Sequence, residues 1–396
     1  MSGYTKHIYE NDIFEIKNDF SKYIKSLINI LPEDYDIEII LSLLTEYYPY
    51  ECQILNEKYE YYCKIDKKLK AVGKKIRYSM KEPREVIKQL KITIEIMSGS
   101  YKDSYKFKYD EDTRLKSIKT LQNQRLPKIK SIKNKIDKAK LKAQQVEPSY
   151  LDVLIGLYDK KNTSQKDKVY IMQELKKYYC PKVISFFKNK VHSEYNRQLR
   201  EMAFYHLQEF KHYVILRKQK YMRIPSKNKR RRQYLKEIYA NQRYNIKEIP
   251  EELEYRIQNS KEQKLKEYNF FISHSSTDYK AVQILIRELN KNGKDVYCDW
   301  INDVDYLKRN LVGGATKVVI EKRLEQSQSL LFVKSENSQL SKWVKYELNY
   351  FYSLNKKIYV IDKINILDGN FQYGLIQEKW FFDEKYKNIC LYESQL

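Results

Sequence analysis

From residue 267 onward, four short apolar runs alternate with three stretches of helical period, and this order limits the fold more than any other feature of the chain. The runs are Asn269 to Ile272, Asp295 to Cys298, Ser329 to Val333 and Lys357 to Ile361; between them lie Tyr279 to Lys291, Thr316 to Gln326 and Ser341 to Leu354. Strands joined by helix-length crossovers pair in parallel, so the β-α-β-α-β-α-β order predicts a parallel sheet with helices on both faces. With strand order 2-1-3-4, the ligand crevice falls beyond the carboxyl ends of strands one and three. The loop Ser273-His274-Ser275-Ser276-Thr277-Asp278 and the segment Lys334 to Ser338, which leads to Ser341, Trp343 and Glu347, flank that crevice. Trp343 and Glu347 are four apart on one predicted helix and therefore share a face, offering a ring and a carboxylate to one ligand.

Before residue 250 the pattern is helical almost throughout. Ile37, Ile40, Leu41, Leu44 and Tyr48 form one stripe after a Pro32-Glu33-Asp34 start signal. A long helix is expected from about Lys182 to Lys218, because Phe187, Val191, Leu199, Ala203, Phe210 and Val214 keep helical spacing without an internal Pro or Gly. Pro148, Pro181, Pro225 and Pro250 punctuate the region, and the polar stretch 259–266 predicts a linker. The expected organisation is a helical region over 1–147 ending in a basic helix, a second basic helical region over 148–258, the linker, and an α/β domain over 267–396.

Charge separates the two parts as clearly as periodicity does. Residues 267–396 hold 18 Lys and Arg against 17 Asp and Glu; the chain total is 76 against 52, so residues 1–266 carry 58 against 35. Two stretches dominate that excess: residues 114–142 have eleven cations and one acid, Asp137, and residues 211–236 have eleven cations and none. The first predicts a helix with an apolar stripe of Ile129, Ile132, Ile136 and Ala139 and lysines, among them Lys133 and Lys140, around the rest. In the second, Lys227, Lys229, Arg230, Arg231 and Arg232 follow Pro225 and Ser226, a candidate helix start, with Tyr213, Tyr221 and Tyr234 interleaved. Cations interleaved with rings suit a phosphate backbone and stacked bases. Lysine-rich helix faces are also ordinary solvated surface, although such faces usually mix signs for i,i+4 support.

The remaining classes narrow quickly. Cys52, Cys63, Cys180, Cys298 and Cys390 show no zinc or redox spacing and read as reduced intracellular thiols. His7, His192, His206 and His212 belong to no ligand constellation, so no metal is expected. The N-terminus has charges where a signal peptide needs an apolar core, and no uncharged run approaches a membrane span; a cytoplasmic protein without a membrane partner is expected. The Lys-, Ile-, Asn- and Tyr-rich usage suggests an AT-rich bacterial genome.

Taken in order, FFISHSSTD, GKDVYCDW, RLEQSQSLLFVKSENSQLSKWVKYELNYF and KKIYVI resemble the successive boxes of a bacterial TIR (Toll/interleukin-1 receptor) domain. The resemblance covers most of residues 268–361. It implies a flavodoxin-like α/β domain at the C-terminus of a mainly α-helical chain, of the NAD-cleaving effector type. Glu347 then stands at the family's catalytic glutamate, and Trp343 opens the WxxxE pattern. Ser273, His274, Trp300 and Ser335 are the implied substrate-binding residues, and 300–314 is the implied gating loop, longer here than in many relatives. The implied activity is NAD⁺ glycohydrolysis in anti-phage defence, by NAD⁺ depletion and abortive infection. The alternatives are a cyclase making a cyclic ADP-ribose-type messenger and a TIR scaffold without catalysis. NAD⁺ would be substrate and no cofactor is needed. Self-association through TIR domains is expected. Nucleic acid, or a nucleoprotein defence complex such as a retron, is the candidate partner of the basic region.

Overall fold

The computed structural model describes residues 4–308 and 313–376; Cys390, the end of the α/β domain and residues 309–312 of the implied gating loop lie outside them. Helix dominates, as expected, and the chain divides into two compact units, Met1–Asp137 with Leu207–Ile215, and Lys138–His206 with Leu216–Leu396.

In the first unit the carboxylate of Asp36 accepts the Ile39 N–H at 2.9 Å and so starts the helix Ile37–Tyr47. The predicted stripe faces inward: Ile40 and Leu44 are fully buried and share a core with Ile24 and Leu27 of the helix Tyr4–Leu27 and Leu55 of the helix Pro49–Ala71. Burial of each such side chain contributes about 1.5–3 kcal/mol. Polar groups fasten the returning segment Leu207–Ile215. Tyr62 and Tyr213 both donate to Asp12, Lys58 pairs with Asp12 at 2.8 Å, and His212 meets Glu57 at 2.6 Å. The first basic stretch lies in the helix Glu111–Leu141, with Ile136 buried and Lys133 exposed.

The helix expected from Lys182 to Lys218 is in fact two, Pro181–Ser193 and Arg197–Glu209. Side chains rather than Gly or Pro make the break. The Glu194 carboxylate accepts the N–H groups of Tyr195 and Asn196 at 2.9 and 3.1 Å, and Asn196 Oδ1 accepts the Leu199 N–H at 3.1 Å, starting the second helix. Of the second basic stretch, Gln219–Tyr221 forms a single 3₁₀ turn, and Lys229–Tyr234 with the turn after it is wound into helix. Its cap is Asn228, which accepts the Arg231 N–H at 2.9 Å, not Ser226.

The sheet contains β1 (Tyr268–Ser273), β2 (Val296–Tyr297), β3 (Ser327–Lys334), β4 (Lys357–Asp362) and β5 (Gly374–Leu375), in the order β2-β1-β3-β4-β5. β1 to β4 are parallel, as the crossovers required; β5 pairs antiparallel with β4 and is too short to have shown in the pattern. The helices Tyr279–Lys291, Gly314–Glu325 and Lys342–Ser353 lie within two residues of their predicted bounds. Side chains alternate across the sheet. Phe270, Ile272, Leu331 and Val333 pack with Val282 and Leu285 on one face, while Phe271, Leu330 and Phe332 pack with Ile320, Val344, Leu348 and Phe351 on the other.

Residues 259–266, read as a linker, are packed instead: Lys261–Lys264 forms a helical turn, and Glu262, Gln263 and Lys266 are buried. Apart from Leu207–Ile215, the chain from residue 138 onward belongs to the same compact unit as the sheet. Gln144, fully buried, accepts the Val296 N–H at 2.9 Å and donates to the Val296 carbonyl. A side-chain amide thus pairs the β2 edge where another strand would otherwise do so.

An ionic cluster is enclosed in this unit. Arg323 donates to Asp303 at 2.8 Å and to Gln263 at 2.8 Å; Lys177 reaches Asp303 at 3.2 Å and Glu174 at 2.8 Å; Lys266 lies 2.5 Å from Glu174. Burial would raise Asp303, but Arg323 and Lys177 outweigh it and hold the carboxyl well below its usual range. Three cations share two carboxylates. The surplus falls on Lys266, which burial and Arg323 push down to about 7.

Candidate functional site

Two features of local sequence place a carboxylate at the end of the sheet. β1 terminates at Ser273, level with Phe332 of β3. On the other side, the Ser341 hydroxyl accepts the Val344 N–H at 3.4 Å and starts the helix Lys342–Ser353, so Trp343 comes in its first turn and Glu347 one turn later. The two elements meet where Ser273 Oγ donates to Glu347 Oε2 at 2.6 Å.

Glu347 faces a cavity of about 660 Å³ together with His274, Asp299, Trp300 and Trp343. That volume falls within the ~300–1,000 Å³ usual for small-molecule sites. Its walls are largely apolar, formed by Phe271, Ile272, Val304, Leu307 and Ile320, with Lys308 and Ser276 adding polar groups. Glu347 keeps a partial path to solvent through the cavity, yet burial pushes its carboxyl up to about 8. The Ser273 hydrogen bond opposes that shift and nearby Asp299 adds to it. A carboxyl so placed is mostly protonated at neutral pH, and a cation bound beside it would drive it to the ionised form.

The residues expected from sequence divide into three groups. Glu347, His274, Trp300 and Trp343 line the cavity together. Ser273 is fully buried behind them and acts through Glu347. Ser335 does not line the cavity: its hydroxyl donates to Asp278 and accepts the Ser338 N–H at 3.0 Å, capping the short helix Glu336–Leu340. A Ser three residues before another Ser is a local cap signal, which outcompetes the crevice for this hydroxyl.

His274 is committed on both sides. Trp300 Nε1–H donates to its Nε2 at 3.0 Å, and its Nδ1 stands 3.0 Å from the Ile272 carbonyl. Nε2 therefore accepts and Nδ1 donates, an arrangement that orients the indole of Trp300 at the cavity. His274, Cys298 and Asp299 bring potential ligand atoms within 4.8 Å of one another, the one such grouping among the described residues. Both ring nitrogens are engaged and burial keeps the Cys298 thiol protonated, so the arrangement favours packing over ligation.

Sequence reasoning missed Asp299, Val304, Leu307 and Lys308, which come from the stretch after β2. Asp303 ties that stretch to Arg323 and Lys177 between Asp299 and the wall residues. The basic residues are placed elsewhere. Lys133 is exposed, the Lys140 ammonium sits 5.1 Å over the Tyr179 ring, and Lys227, Lys229, Arg230, Arg231 and Arg232 are exposed around the short helix Lys229–Tyr234. None of them lines the cavity with Glu347.

Among protein families, the TIR domain matches residues 270–367. A putative cyclic ADP-D-ribose synthase TIR2 of Cytobacillus dafuensis is 35% identical over 369 residues, 93% of this chain and 94% of that protein. A probable 3' cyclic ADP-D-ribose synthase ThsB' of Bacillus cereus (strain MSX-D12) is 36% identical over 98 residues, 25% of this chain and 50% of that protein. No solved structure matches the chain. Among the described residues no helix is long and apolar enough to cross a membrane.

Proposed function

Because the chain belongs to the family of bacterial TIR-domain proteins, we propose that it cleaves NAD⁺ at the ribose–nicotinamide bond and closes the remaining ADP-ribose into a cyclic product. The observation that carries this is the Glu347 carboxyl, held by Ser273 and facing a cavity walled by Trp300 and Trp343.

The bond to nicotinamide breaks with development of positive charge on the ribose, while the leaving ring takes both bonding electrons and departs neutral. An ionised carboxylate beside the ribose stabilises that charge, as in glycoside cleavage. No general acid is required, and one Glu suffices. The cationic nicotinamide ring of the bound substrate favours the ionised form of Glu347 before the bond breaks.

The identity of the product depends on the nucleophile. Water gives linear ADP-ribose; an atom of the same molecule gives a ring, with its proton released when the nucleophile is a hydroxyl. The apolar walls at Ile272, Val304, Leu307 and Ile320 disfavour water and favour a folded substrate whose own groups approach the ribose. The names of the two relatives point the same way, so ring closure is preferred here to the glycohydrolysis suggested by the motifs alone. The enzyme would then supply a messenger in anti-phage defence, with TIR self-association as part of its activation and the basic helices as the place where a trigger or partner acts.

Incubation of the purified chain with NAD⁺, followed by chromatography and mass spectrometry, tests this directly. The expected products are nicotinamide and, in equal amount, a compound one water lighter than ADP-ribose. Linear ADP-ribose as the sole partner of nicotinamide would instead make the protein a hydrolase.

A further inference from the structure

A second cavity, of about 430 Å³, lies among the helices of the second unit and shares no lining residue with the first. We infer that it is a binding site for a nucleotide phosphate, either of a free mononucleotide or of the end of a nucleic-acid strand.

Four cations line it, Lys161, Lys168, Lys190 and Arg231, against the two carboxylates Asp159 and Glu194. Both carboxylates are already occupied. Asp159 pairs with Lys190. Glu194 accepts from the Tyr158 and Tyr239 hydroxyls at 2.7 and 3.0 Å and from two backbone N–H groups, with Lys168 at 3.6 Å. Among the described residues, Lys161 and Arg231 have no carboxylate at ion-pair distance. Arg231 lines the cavity together with Tyr239. Concave sites lined by an excess of one charge concentrate counter-ions of the other.

The wall itself is built unusually. The Ala240 N–H bonds to the Leu235 carbonyl, five residues back, at 3.0 Å, giving a single over-wide helical turn over Leu235–Tyr239. Such turns are uncommon and concentrate at functional sites. Glu194 and Tyr195, at the break between helices, line the same cavity, so two departures from regular helix shape one hollow.

Its size and remaining chemistry select the ligand. The volume exceeds what a bare phosphate fills and lies within the ~300–1,000 Å³ of small-molecule sites. Tyr195 and Tyr234 offer ring surface, and Gln165 and Gln242 offer amides, in the same hollow as the cations; rings and amides suit a base, cations its phosphate. An adjoining hollow is lined by Arg223, Lys227 and Arg232 and shares Pro225 with the first. Consecutive residues Arg231 and Arg232 thus line neighbouring hollows, an arrangement that accommodates one nucleotide or the continuation of a strand.

The test is calorimetric titration of the full chain with inorganic phosphate, AMP and a 5'-phosphorylated ten-nucleotide DNA, for wild type and a Lys161→Glu/Arg231→Glu double variant. The wild type should bind AMP or the oligonucleotide, at least tenfold more tightly than phosphate, with affinity falling as salt rises. The double variant should lose at least tenfold while keeping the wild-type melting temperature and NAD⁺ turnover, so failure here is separable from failure of the proposed activity. A Lys161→Gln/Arg231→Gln variant checks the loss without charge reversal. Binding of AMP identifies a free nucleotide, and binding of the oligonucleotide alone identifies a strand end. The inference is overturned if no probe binds the wild type at low salt, if phosphate binds as tightly as AMP and the oligonucleotide, or if neither pair of substitutions weakens binding.

Discussion

Glu347→Gln should lower nicotinamide release from NAD⁺ by at least about a hundredfold, the scale on which single charge-stabilising groups act in enzyme sites. The amide keeps the volume and the capacity to accept from Ser273 but cannot carry the negative charge. The same substitution should make the protein more stable at and above pH 8. The carboxyl lies at about 8 in the folded chain against its ordinary value of 4.5. Across that interval the folded state holds a proton that the unfolded state gives up, so the residue's contribution to stability falls as pH rises through the window. Gln removes this dependence. Urea unfolding of wild type and variant at pH 6 and pH 8.5 measures it: the variant's advantage should grow with pH. Equal stability at both values would show that the carboxyl is not buried as described.

Arg323→Met should be the most destabilising single substitution proposed, by about 3–5 kcal/mol, because it strands the buried Asp303 carboxylate. Arg323 and Asp303 are both fully enclosed at the side chain, and no solvent is at hand to replace the lost partner. Lys177 would remain at 3.2 Å, but it is shared with Glu174. The double variant Asp303→Asn/Arg323→Met should recover much of the loss, since neutralising both partners removes the uncompensated charge. Activity need not recover with stability: Asp303 fixes the stretch that supplies Val304, Leu307 and Lys308 to the cavity, so the double variant is expected to raise KM. Urea midpoints and steady-state kinetics on the two variants check both halves.

The α/β domain was legible because its signals are periodic and repeated. Parallel strands buried on both faces read as apolar runs, and helix-length crossovers require them to pair in parallel, so the parallel sheet and the Trp343–Glu347 face came out of spacing, whereas the β2-β1-β3-β4 order came with the flavodoxin-like arrangement. What was not legible rests on single polar side chains. The break at Glu194–Asn196 has no Gly or Pro to mark it, and the carboxylate and amide that create it look like ordinary surface residues in the sequence. Gln144 pairs with Val296 over 152 positions, and Arg323 finds Asp303 twenty positions back, distances at which no periodicity speaks. Ser335 lies off the cavity for a similar reason, because its hydroxyl serves the local backbone. The polar stretch 259–266 misled because polarity implied solvent, while Gln263 and Lys266 in fact meet the buried ions Arg323 and Glu174.

In the proposed activity an ionised Glu347 within this cavity drives cleavage of NAD⁺. This role is tested most directly by the initial rate of nicotinamide release at low NAD⁺, measured for the wild type from pH 6 to pH 9. Under these conditions the profile reports the free enzyme. The rate should rise about tenfold per pH unit below pH 8 and level off above it, as the carboxyl near 8 ionises. A rate independent of pH across this range, or no nicotinamide at any pH, would rule out this role for Glu347.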